Sequence, residues 1–237
     1  MNLVKTVGQP VRDKLMADGV VLAWGVETPL LRNPSGGNRV IWYAIADWSG
    51  VENVQTAMAA QLAKIAADEA KPEKGKKPSM TTAERAREVF DASKTRDWLT
   101  RDVVFWATHT NPPAGATPFS RFSYVKVKPG KGNDYRKAWE KYNKPVLDKL
   151  AADGVIMAFG LAVEEMKTDG DFTHFTWYVM NDLATMEKVR STFLADRDHR
   201  SPEERDAIAD LFTSLTDPDA ARAEMLHSII FHLPGQK

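Results

Sequence analysis

PVRDKLMADGVVLAWG at residues 10–25 and PVLDKLAADGVIMAFG at residues 145–160 are two copies of one stretch, identical at eleven of sixteen positions at an offset of 135. Three further positions, Val21/Ile156, Leu22/Met157 and Trp24/Phe159, exchange one apolar side chain for a similar one. The offset persists downstream: Trp42-Tyr43 matches Trp177-Tyr178, Asp47 matches Asp182 and Glu52 matches Glu187. An internal repeat of this kind predicts the architecture, because each copy is one structural unit. It leaves the chemistry open.

The totals narrow the function classes. A chain of 237 residues holds two ordinary domains or one built from two halves. Lys plus Arg and Asp plus Glu stand at 32 each, so no net field draws in nucleic acid or an anionic membrane. No apolar run approaches the roughly 18 residues of a membrane-spanning helix. Cysteine is absent, which excludes disulfides, thiolate nucleophiles and Cys-based metal sites. With five His, a metal site made by protein alone would lean on carboxylates, and none is expected. The N-terminal residues lack the basic-then-apolar pattern of a signal peptide, so a cytoplasmic protein is expected, with export left open if the true N-terminus lies upstream.

The second half is the more complete copy. Residues 119–128, FSRFSYVKVK, alternate and are rich in β-branched and aromatic residues, a strand ended by Pro129-Gly130. Asn133 or Asp134 caps a helix to about Ala152, ended by Asp153 and Gly154. Residues 155–163 and 172–180 form a hairpin around the turn at 167–171. Asn181 or Asp182 caps the next helix, Ser201-Pro202-Glu203-Glu204 opens another, and residues 225–232 are the last strand. The order strand, helix, strand, strand, helix, strand is a split βαβ unit with one sheet face covered by helices and the other bare. A second copy in the same chain is the obvious cover for it.

The first half follows that plan with two departures. Met1 falls opposite Arg136, so the first strand is missing. Either the start is displaced or this half has three strands; displacement is favoured, since an unprotected edge is a liability. Near Thr82 the offset falls to 120, leaving about fifteen inserted residues that include the Lys- and Pro-rich stretch 71–78, expected to be a solvated loop. Residues 103–108 close the half. The expected domains are an N-terminal ferredoxin-like repeat at 1–110, a linker at 111–118 and a C-terminal repeat at 119–237.

A tandem of such units resembles the dimeric α/β-barrel superfamily in its fused, pseudo-dimeric form, and the opening Tyr124-Val125-Lys126-Val127-Lys128-Pro129-Gly130-Lys131 is similar to the strand-Pro-Gly-helix start common there. The resemblance implies an α+β fold in which two sheets close a barrel with helices outside. The superfamily includes cofactor-free monooxygenases, isomerases and cyclases, haem proteins and members without known activity. Fold alone does not choose among them.

The barrel expectation places ligands against the bare sheet faces. On the strand at 172–180, His174, Thr176 and Tyr178 are expected to line that space, with Phe175, Trp177 and Val179 facing the helices. The matching set in the first half is Arg39, Ile41, Tyr43, Ile45 and Asp47, which makes Tyr43 the counterpart of Tyr178. His174 beside Tyr178 or Tyr43 suits cofactor-free catalysis: neutral imidazole takes a proton and a phenol steadies the oxyanion. Against this stands a satisfied or exposed His174 and two core tyrosines. Trp24 and Phe159 fill the core or wall an apolar pocket, and Thr176, Arg39 and His232 complete the candidate ligand set. His232, His174 or His109 is the candidate axial ligand in a haem-binding alternative. Asp47 and Asp182 are expected to cap helices. Asp196, Asp198 and His199 are expected to lie in a solvated break.

Three functions remain open: a binding protein or cofactor-free enzyme for a compact apolar or aromatic small molecule, a haem-binding barrel, and a non-catalytic assembly protein with a filled barrel. Expected partners are the small molecule and a further copy of the chain; no nucleic acid and no membrane are expected.

Overall fold

The computed structural model describes residues 3–31, 37–71, 80–108, 117–166 and 172–232. The inserted stretch at 72–78, the turn at 167–171, His109 and most of the linker lie outside the described residues. The chain divides into two compact units: a smaller one of Met1–Val26, Val40–Arg96 and Ile230–Lys237, and a larger one of Glu27–Arg39 and Asp97–Ile229. These units cut across the sequence halves, and hydrogen bonding supplies the reason. Strand β3 (Thr100–Ala107), from the first half, pairs antiparallel with β5 (Ala158–Glu164) from the second.

The larger unit continues as β4 (Phe119–Val127), α4 (Gly132–Tyr142), α5 (Lys144–Ala152), β5, β6 (His174–Met180), α6 (Thr185–Asp198), α7 (Pro202–Leu215) and β7 (Thr216–His232). That is strand, helix, strand, strand, helix, strand. Its hydrogen-bonded order is β7-β4-β6-β5-β3, antiparallel throughout. The one long helix expected at 133–152 is two helices that break at Asn143, because Pro145 lacks the N–H that a continuous helix needs. Strand β7 begins nine residues earlier than expected, directly after α7. Residues 216–224 have no strand pattern, and pairing with β4 from Thr216 to His227 overrides their propensity.

The smaller unit opens with a π-helical turn, Val4–Gly8, followed by α1 (Gln9–Ala17), β1 (Val21–Pro29), β2 (Val40–Ile45), α2 (Trp48–Glu69) and α3 (Thr82–Val89). Its strand order is β2-β1-β7, and both β1 and β7 run on into the larger unit. Gly19 and Gly154, at matched positions, both hold φ near +70° (76° and 69°) at the helix-to-strand turn.

Asp47 and Ser201 cap as expected, whereas α4 starts after Lys131 with no side-chain cap from Asn133 or Asp134, and α6 starts after Ala184 rather than after Asn181 or Asp182. Asp47 accepts from the backbone of Ser49 and Gly50 at the start of α2, and Ser201 forms a capping box with Glu204. Asp182 accepts from Thr185 N and Oγ1, both at 2.9 Å. Asp196 and Asp198 belong to the last turns of α6 and pair with Arg200, Arg197 and Arg205. Among the described residues no group of three His, Asp or Glu could hold a metal, and no helix is long and apolar enough to cross a membrane. The larger unit's core joins its helices to one sheet face through Trp139, Leu147, Leu150, Phe159, Leu161 and Met180. The smaller unit's core does the same with Val11, Leu15, Trp24, Val26 and Val54.

Candidate functional site

Strand β6 presents two faces, and the structure reverses their expected assignment. Tyr178 and Met180 lie in the core with residues of α4, α5 and α7, so the His174, Thr176 and Tyr178 side is the helix side. Phe175 and Trp177 instead join Tyr124, Ala162, Phe172 and Phe122 in a cluster that contains no helix residue. Alternation told the two faces apart, but both carry aromatic rings, and nothing local says which one the helices cover. Tyr43 makes the same reversal in the smaller unit, where it packs with Ile41 and Ile45 against α1 and α2.

On the helix side, His174 does not meet Tyr178. Its Nδ1 lies 2.9 Å from Thr173 Oγ1 and its ring stands edge-on to Tyr135, with centroids 5.4 Å apart. Thr176 accepts from Trp139 Nε1 at 2.8 Å, and Tyr178 donates to the sulfur of Met186. Burial lowers the imidazole of His174 to about 4 and raises the phenol of Tyr135 to about 12, so both are neutral at pH 7. This is a packed, largely self-satisfied network between α4 and β6. Phe159 is fully buried and stacked on Trp106, a core role rather than a ligand contact. Arg39 is exposed and donates to Thr28 Oγ1 and the Asn38 carbonyl, at 2.9 and 2.7 Å.

The helix-free face of the larger unit is the aromatic surface. Phe122, Tyr124, Phe172 and Phe175 pack ring against ring, with Trp98 edge-on to Tyr124 and Phe172. Arg222 lies over Tyr124 at 4.7 Å from the ring centre. Burial and the nearby Glu224 raise the Tyr124 phenol, with Arg222 opposing. At the β5 end Trp177 covers Gly160, where any Cβ would sit 2.7 Å from the indole Nε1 and 2.8 Å from the Val104 carbonyl. Phe105 approaches Trp177 at 5.9 Å and stays half-exposed.

Asp102 stands beside them and accepts from Trp177 Nε1 at 2.9 Å. Solvent reaches Asp102, yet the protein mass around it raises its carboxyl pKa, and the indole hydrogen bond only partly opposes that. Further along the same face Glu27 is fully buried and accepts from Ser120 and Ser228 at 2.6 and 2.9 Å.

In the smaller unit Trp24 is fully buried and His232 stacks on it at 4.9 Å. On Trp24 also lies the guanidinium of Arg12, 5.6 Å from the ring centre. The structure thus joins Trp24, His232 and Tyr43 in one unit, and His174, Thr176 and Tyr178 on one strand face of the other.

Sequence reasoning passed over Asp102, Arg222, Tyr135, Trp139 and Arg12. For Arg12 a signal existed: it replaces Leu147 inside the otherwise repeated PVxDKL. Asp102, an acid within the apolar strand TRDVVFWA, was a weaker one.

Solved structures share this fold, among them the following two. A candidate monooxygenase from Fusobacterium nucleatum subsp. nucleatum has a TM-score of 0.57 at 11% identity, over 100% of this chain and 89% of its own. An anthrone oxidase-like protein has a TM-score of 0.50 at 10% identity, over 98% and 89%. At these identities the likeness is one of fold alone. No protein-family model matches the chain, and no curated protein does.

Proposed function

We propose that the chain consists of two ferredoxin-like repeats and that its larger unit takes a compact aromatic ketone or phenol against the helix-free sheet face, on which it acts without a cofactor. One observation carries the reading: a carboxylate with a raised pKa, Asp102, is fixed by an indole N–H at the margin of a surface otherwise made of aromatic rings. Half-exposed Phe105 and partly buried Trp177 offer a planar ligand stacking partners, and the ligand's acidic proton would lie toward Asp102. A carboxylate whose pKa is raised is a stronger base than one in water and takes a proton from an activated C–H or O–H. Oxygenation, isomerisation and cyclisation share that first step. The repeat reading is supported by the offset of 135 and by the indole-over-glycine pair that recurs as Trp42 on Gly25 and Trp177 on Gly160.

Anthrone is a suitable probe. Loss of its ring-methylene proton to Asp102 gives a carbanion that reduces dioxygen and forms a C–O bond; loss of water then yields anthraquinone. The expected result is anthrone binding with quenched tryptophan fluorescence and anthraquinone formation above the spontaneous rate. Asp102→Asn should retain binding and lose about 100-fold or more in turnover. Equal turnover by Asp102→Asn, or a wild-type protein that neither binds nor converts the probe, would sink the proposal.

A further inference from the structure

Arg12 is 7% exposed, and among the described residues it makes no hydrogen bond and no ion pair. Its Nε–H is buried without an acceptor, as is the indole Nε1–H of Trp24 on which it stacks. A guanidinium taken out of water and left uncompensated is costly, and a second buried donor beside it adds to that cost. The matched positions of the larger unit show that the fold does not require either group. There Leu147 stands for Arg12, Phe159 for Trp24 and Trp106 for His232, and the three form continuous apolar core. The smaller unit therefore buries a guanidinium and an indole N–H where the same architecture packs a leucine and a phenylalanine.

The surroundings accommodate the charge without neutralising it. Gly8, where the π-helical turn meets α1, leaves space for the guanidinium, and a Cβ at that position would collide with Arg12 Nη1. Tyr43 is close enough to interact electrostatically with Arg12. His232 and Tyr43, each partly exposed, are the members that solvent reaches.

We infer that the smaller unit binds the carboxylate of a compact organic acid, which accepts from Arg12 and Trp24 and enters past His232 and Tyr43. The anion supplies the acceptors that both buried donors lack and cancels the buried positive charge. This site lies wholly in the smaller unit and does not depend on the aromatic face of the larger one.

The test uses the full chain with sodium benzoate as probe and benzamide, its neutral counterpart, as control at matched ionic strength. Benzoate should raise the melting temperature of the wild type and benzamide should not. Arg12→Leu, which installs the residue of the matched core position, should melt above the wild type without ligand and bind benzoate at least tenfold more weakly. Trp24→Phe, which keeps the stacking ring and removes the N–H, should fold and bind several-fold more weakly. Asp102→Asn should leave the benzoate response unchanged, which separates this site from the proposed catalytic one. An Arg12→Leu protein that melts lower than the wild type, or fails to fold, overturns the inference, because the guanidinium would then be holding the core together. So does a benzoate response that survives the loss of Arg12, or a wild type that responds to neither compound.

Discussion

The two units solve one packing problem with different side chains. In the larger unit Leu147, Phe159 and Trp106 close the space between helix and sheet as hydrocarbon and stacked rings. In the smaller unit Arg12, Trp24 and His232 occupy the matched places, stacked in the same manner, but the Arg12 Nε–H and the Trp24 indole N–H meet no acceptor among the described residues. Shape is conserved between the two while polarity is not. Shape complementarity is what a fold needs; buried, unsatisfied polarity costs stability and is kept where a ligand repays it. The same contrast recurs on the other face of the sheet. Trp177 and Trp42 both lie over a glycine, but only Trp177 is described with a carboxylate, Asp102, on its indole nitrogen.

The largest effect should come from forcing the larger unit to copy the smaller. Leu147→Arg places a charge in a core with no acceptor and should cost about 3–5 kcal/mol, seen as loss of cooperative unfolding or of soluble protein. A tolerated Leu147→Arg would break the comparison, since the larger unit would then harbour the charge as easily.

Next comes the glycine under each indole. Gly160→Ala pushes a methyl against both the Trp177 ring and the Val104 carbonyl, whereas the three atoms nearest a Gly25→Ala methyl all belong to the Trp42 ring. A side chain yields more readily than backbone, so urea unfolding should show a loss of about 2–3 kcal/mol for the first and about 1 kcal/mol for the second. Equal losses would mean that the Val104 strand shifts freely.

Acid should separate His174 from the rest of its strand. Its pKa lies near 4 when folded and 6.5 when unfolded, so between those values the unfolded chain binds the extra proton. The stability it confers is complete above pH 6.5 and is lost as pH falls toward 4, by about 2 kcal/mol once partial solvent access is allowed for. In His174→Asn that part of the pH–stability curve should flatten; an unchanged slope would place the imidazole in solvent. The smallest effect is that of Trp139→Phe. It removes the indole hydrogen bond to Thr176 and should lower stability by about 1 kcal/mol, read from the urea midpoint.

Much of the fold was legible. The order of elements, the Asp47 and Ser201 caps and the glycines ending the matched helices follow from local chemistry, which acts within a few residues of its own position. The candidate site was legible only in pieces. Trp24, His232 and Tyr43 do fall in one unit. Their partner Arg12 lay in plain view as the charged residue in a repeated apolar motif, but its meaning depends on what fails to surround it. Tyr135, rather than Tyr178, is the phenol beside His174, because the helix that carries it folds back over β6.

The sequence by itself determined the periodicities, the breaks and the recurrence of one sixteen-residue stretch, because these depend on backbone preference and on spacing along the chain. Only the tertiary structure decided which face of β6 meets the helices, that β3 pairs with β5, and that Arg12 meets no acceptor among the described residues. Each of these is set by contacts between residues far apart in sequence, where a strand's two faces are locally equivalent and the packed partner breaks the tie.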